Sequence, residues 1–185
     1  MRRFGLAILL LVFAFGAAAS LTPKSAGAAS GPEIDRNVKN ALQSLYAKIP
    51  ASKALGEKAH GILVFPSITK GGFMVGGQFG EGALLQGGKT AGYYSTLQVS
   101  YGLQAGIQKY GYALFFMSDA AMKWIDKSDG WELGTGPSIV VVDAGMARSM
   151  TTTTLQSEIY AFFFDQKGLM GGLGLQGTKI SKVKK

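Results

Sequence analysis

The chain has 185 residues, no cysteine, one histidine and a formal net charge of +8. Without cysteine there is no disulfide, thiolate nucleophile, Cys-ligated zinc or iron–sulfur cluster, and no lipid attached at an N-terminal Cys. The length fits one domain preceded by an export segment.

Residues 1–28 read as a secretory signal peptide. Arg2 and Arg3 form the basic start, Leu6 to Phe15 is the apolar run, and Ala17-Ala18-Ala19 and Ala26-Gly27-Ala28 are two small-residue cleavage candidates. The apolar run falls short of the roughly 20 residues a membrane-spanning helix needs. The reading therefore places one domain at 29–185, exported to the periplasm or cell envelope. Removing residues 1–28 takes Arg2, Arg3 and Lys24 from the 19 basic side chains, leaving 16 against 11 acidic, a net +5. Such an excess favours anionic partners. Export and the lack of a binding motif argue against nucleic acid.

Ser30 and Glu33 have the spacing of a capping box, and Ile34, Val38, Ala41, Leu42, Leu45 and Ile49 fall on one helical stripe up to Pro50. This predicts an amphipathic helix over 33–49 and a short second one from about Ser52 to Ala59. His60 to Phe65 reads as a strand ended by Pro66. Short strands follow at 72–79, 82–86 and 90–95. From Leu97 to Gln108 apolar residues alternate with polar ones or Gly without a break, which predicts a long strand with one apolar, buried face and one wet face. Tyr110 to Met117 is apolar on both faces. Ser118 and Asp119 open a short helix with Met122 and Ile125 inward, and Asp129-Gly130 is a turn. Further strands are predicted at 131–134, 138–142, 159–164, 169–175 and 178–183, with Thr151 to Thr154 undecided and a basic tail at Lys182, Lys184 and Lys185. Glycine is abundant, at 27 residues, and recurs inside strand patterns, as a strongly curved sheet needs. The expected fold class is α+β: a Gly-rich, twisted antiparallel sheet, sandwich- or barrel-like, packed with the N-terminal helix and a short mid-chain helix.

Catalytic signals are weak. Gly87-Gly88-Lys89-Thr90 ends like a phosphate loop, but the Gly required earlier is Ala83, and strand-like residues follow it. Gly172, Gly174 and Gly177 match a dinucleotide fingerprint, yet the chain ends eight residues later, before the helix such a site requires. His60 stands alone at the mouth of an apolar strand, where a capping or core role is the default. Glu81, Asp119, Asp129, Glu132, Asp143, Glu158 and Asp165 are scattered, mostly near turns. These residues point to no enzyme, cofactor or metal.

The basic residues carry more. Arg36, Lys39, Lys48, Lys53 and Lys58 lie on or just after the amphipathic segment, and Lys70 opens the first Gly-rich strand pair. Each cation near an anionic bilayer contributes about 1 kcal/mol, and apolar insertion adds to that. On the residues alone, the simpler reading is that the stripe packs on the sheet and the lysines solvate its back.

Several blocks in order then bring a family into view: Gly61 to Pro66 (GILVFP), Lys70 to Gly77 (KGGFMVGG), Gly92 to Tyr94 (GYY), Gly102 to Gln108 (GLQAGIQ), Tyr112 to Met117 (YALFFM), Val142 to Gly145 (VDAG), and Tyr160 to Phe162 (YAF) leading into Gln166 to Met170 (QKGLM). From about Ile34 onward the chain resembles the SYLF domain family, the lipid-binding module also called the actin-binding domain of yeast actin-patch regulators. The resemblance implies a non-enzymatic module for phosphoinositides and other phospholipids. Binding would run through the N-terminal amphipathic helix and basic surface residues, which correspond by region to 33–49 and to Lys39, Lys48, Lys53 and Lys58. The signal peptide, and the absence of an appended peptide-binding or zinc-finger module, resemble a stand-alone bacterial member. Its expected partner is an anionic phospholipid surface; a protein partner is not indicated. The alternatives are an outer-membrane β-barrel, which the alternating strand fits, a structural envelope protein, and, with least behind it, an envelope enzyme.

Overall fold

The computed structural model describes residues 28–127, 130–142, 146–147, 156–168, 175 and 177–185, with backbone alone for 73–74 and 100–105. Almost all of the expected signal segment, Thr151 to Thr154, Asp129, Asp143, Gly172, Gly174 and most of the expected strand at 169–175 lie outside the described residues.

Two helices open the domain, α1 (Gly31–Lys48) and α2 (Pro50–Gly56). Ser30 caps α1 with extended backbone, but its side chain makes no capping bond; Pro32, whose fixed φ suits a first turn, starts the helix instead. The expected capping box is thus not formed. The predicted stripe is confirmed: Ile34, Val38, Ala41 and Leu45 are buried against the sheet.

The short strands expected between residues 61 and 117 are two long ones, β1 (Gly61–Gln86) and β2 (Lys89–Phe116), paired as one antiparallel ribbon. Pro66 does not end the first strand. It sits where the register shifts between Phe65 and Ile68, a bulge that absorbs its missing N–H. Gly87 and Gly88, with φ of 55° and 77°, form the two-residue turn that joins the strands. The loop that ends like a phosphate cradle is this hairpin turn. The ribbon then coils until the ends of β1 lie side by side. A Cβ on Gly82 would stand 2.1 Å from the Val64 carbonyl oxygen, and one on Gly80 would stand 2.8 Å from that of Ser67. Only glycine admits this approach.

After α3 (Asp119–Met122), capped by Ser118 Oγ accepting from Ala121 N at 3.1 Å, come β3 (Trp131–Glu132), β4 (Ile139–Val142), β5 (Ile159–Gly168) and β6 (Lys179–Val183). The sheet runs β3-β6-β2-β5-β4, with β1 on the other side of β2. β6 pairs with the first half of β2 and β5 with the second. The α+β class is confirmed, with one correction: β4 and β5 are parallel, so the sheet is mixed.

The coil has an inside and an outside. Inside lie Leu63, Phe65, Ile68, Leu84, Tyr94, Tyr110, Tyr112 and Leu114. Outside, α1 covers Ile62, Val64, Ala83, Ala113 and Phe115. The alternating strand is placed opposite to expectation. Thr96 and Gln108 point inward and are buried, whereas Leu97, Val99 and Ile107 face solvent. Part of this polar face is partnered inside: Tyr112 Oη donates to Thr96 Oγ1 at 2.8 Å, and Tyr110 Oη to Gln78 Oε1 at 2.5 Å, while the buried Gln108 Oε1 has no hydrogen-bond partner among the described residues. A membrane barrel needs lipid around its whole outer girdle; here a helix seals part of it. Among the described residues no helix is long and apolar enough to cross a membrane.

Candidate functional site

Asp35 fixes the start of α1 to the hairpin. Its carboxylate accepts from Thr90 Oγ1 at 2.8 Å and from Tyr93 Oη at 3.0 Å. One helical turn on, Val38, Leu42 and Leu85 floor a groove of about 360 Å³ with Tyr46 in its wall and Lys39 at its rim. The groove thus joins an apolar floor to a cation.

The six basic residues singled out in the sequence do not form one patch. Arg36, Lys39, Lys53 and Lys58 are exposed and have no ion-pair partner among the described residues. Lys48 is exposed but paired with Asp165 of β5. Lys39 and Lys48 are nine residues apart, two and a half helical turns, so they emerge on opposite flanks of α1. Lys70 is 8% exposed and already engaged within the fold. It occupies the inward, polar face of β1, in register with Gln108.

Sequence reasoning missed the role of Glu81. It sits on β1 opposite Ser95, and its carboxylate accepts from Ala29 N at 2.9 Å and from Lys185 Nζ at 2.6 Å. Both charged side chains are largely shielded from water. The long chain separation between these partners left no local pattern to find.

His60 Nδ1 lies 2.7 Å from Asp119 Oδ1 at the start of α3, and both side chains are open to solvent. The pair caps a surface turn. Among the described residues no three of His, Cys, Asp and Glu gather as metal ligands would. Inside the coil, burial pushes the Tyr110 phenol up to about 12, against the lowering effect of its bond to Gln78. Burial drives Tyr112 higher still. These are groups held neutral to satisfy a polar core.

Residues 97–185 match the family model described as Ysc84, Las17-binding protein actin regulator. This agrees with the SYLF resemblance carried by the sequence blocks. That description names an actin regulator that binds Las17. No curated protein matches the chain.

Proposed function

We propose that this chain, whose residues 97–185 carry the match to the SYLF-type family, is a non-enzymatic domain that binds anionic phospholipid surfaces at the cell envelope after export. The observation that supports the reading is the set of four exposed cations with no ion-pair partner among the described residues, Arg36, Lys39, Lys53 and Lys58, on and just after the two helices, with the groove beside Lys39. Cations held near an anionic headgroup layer attract it at about 1 kcal/mol each. The apolar stripe of α1 takes no part, because it is spent on the sheet. The helix therefore presents charge, and its packing holds that charge in place.

Co-sedimentation of the purified protein with phosphatidylcholine vesicles, with and without phosphatidylglycerol, tests the proposal. Binding is expected only with the anionic lipid; equal recovery with both would count against it.

A further inference from the structure

Among the described residues, nothing covers the outer face of the coiled ribbon at Val75, Phe79, Leu97 and Val99 as α1 covers it elsewhere. Along β1 and β2 the register sets Val75 opposite Tyr101, Gly77 opposite Val99 and Phe79 opposite Leu97, so Val75, Phe79, Leu97 and Val99 share one face. Their exposures are 56%, 52%, 52% and 56%. Four adjacent large apolar side chains, each half open to water, are unusual on a monomer and mark a contact surface. The alternation makes the exposure deliberate: polar residues of the same strands, Gln78 and Thr96, are turned inward and given partners.

The charges around this face select the occupant. Lys179 of β6 stands directly opposite Leu97 on the same face, exposed and with no ion-pair partner within 4 Å among the described residues, although Glu132 follows it in register on β3. The acid next to the patch on β1, Glu81, is neutralised by Lys185. Further along β2, beyond a bulge, exposed Ile107 neighbours Lys109, which faces Lys167 of β5 across the ladder. Like charges opposite one another oppose sheet formation, so this pair is not there for the sheet. A second copy of the chain would bring the same cations against themselves. An anionic lipid leaflet satisfies both halves, taking the apolar groups among its acyl chains and the ammonium groups at its headgroups.

We infer that Val75, Phe79, Leu97 and Val99 insert into an anionic leaflet, with Lys179 at the headgroup level. This rests on the lipid-binding reading above and names the surface that penetrates. The absence of native cysteine allows a direct test. A Val99→Cys variant carries an environment-sensitive dye, with Ser138→Cys, in the loop before β4, as the control. Both are mixed with phosphatidylcholine/phosphatidylglycerol vesicles whose acyl chains bear a shallow quencher. The expected result is quenching at residue 99 and none at 138. In parallel, Phe79→Ser with Leu97→Ser, both on an exposed face where folding does not depend on them, lowers the vesicle partition coefficient about tenfold or more. If the protein co-sediments while the dye at 99 stays in water, this inference fails and the electrostatic reading survives. If the protein does not co-sediment, both fail. If the dye at 99 is already shielded without lipid and the protein sediments as a dimer, the face belongs to a second copy and the inference is overturned.

Discussion

Phe79 stands directly opposite Leu97 in the ladder between β1 and β2, and both point out of the coil although Gln78 and Thr96, next to them in the chain, point their polar groups in. The arrangement is that of a sheet wrapped around a hydrogen-bonded interior, with its apolar outer face half covered by α1 and half left free. Five consequences can be measured.

The coil depends on the missing side chain at Gly82. A Cβ there meets the Val64 carbonyl oxygen at 2.1 Å and its carbonyl carbon at 2.9 Å, and backbone does not move aside cheaply. Gly82→Ala is expected to destabilise the fold by about 3 kcal/mol or more, read from urea unfolding. Gly87→Ala, in the hairpin turn, meets no steric neighbour and suffers only from its positive φ. It should lose about 1 kcal/mol. Equal losses would mean that the two ends of β1 do not touch.

The interior hydrogen bonds are the reason the polar face can be buried. Tyr110→Phe leaves Gln78 Oε1 without its donor inside the coil. The expected loss is about 1–3 kcal/mol, the usual penalty for a stranded buried acceptor. A change below about 0.5 kcal/mol would show that water reaches Gln78.

High pH should unfold the protein through its tyrosines. Burial, with Asp126 adding to it, pushes Tyr94 up to about 12, and burial pushes Tyr110 to about 12, against an ordinary 10.0. Between those values the unfolded chain has released protons that the folded chain still holds. Stability is therefore complete below pH 10 and falls as pH rises from 10 towards 12. Tyrosinate absorbance and circular dichroism followed together should change in one transition in that window. Full ionisation near pH 10 with the fold intact would contradict the burial of these phenols.

Glu81 ties Ala29 and Lys185 to β1. Cleavage after Ala28, one of the two candidate sites, would turn the Ala29 nitrogen, 2.9 Å from Glu81 Oε2, into an ammonium group and strengthen that contact. Intact-mass measurement of the exported chain is expected to place its first residue at Ala29. Glu81→Gln, which abandons Lys185 as well, should destabilise that processed chain by about 1–3 kcal/mol in urea unfolding. An exported chain beginning at Ser20 would contradict the first expectation.

Much of this architecture was legible in the residues. The stripe from Ile34 to Leu45 foretold a helix with a covered face, and Ser118 foretold the start of α3. The two long strands were not legible, because Gly and Pro are read as strand ends. Here Gly80 and Gly82 allow one strand to pass close to itself, and Pro66 occupies a bulge. Alternation from Leu97 to Gln108 gave the period but not which side faced inward. The inner side is marked by Thr96, just before that stretch, and by Gln78 of β1, which Tyr112, Tyr110 and Thr178 bond from outside it. The parallel pairing of β4 with β5 likewise depends on contacts between segments that carry no local mark of it. For the cations, spacing already separated Lys39 from Lys48, but nothing local placed Asp165 beside Lys48.

The salt dependence of vesicle binding tests the central claim most directly. Raising salt from about 0.05 M to about 0.5 M shortens the range of exposed charges to a few ångströms. Affinity for phosphatidylglycerol vesicles should fall steeply over that range, and reversing Arg36, Lys39, Lys53 and Lys58 together to Glu should remove most of the salt-sensitive part while the far-ultraviolet circular dichroism stays unchanged. Binding that ignores salt, or that survives the fourfold reversal undiminished, would contradict an anionic membrane surface as the partner of these cations.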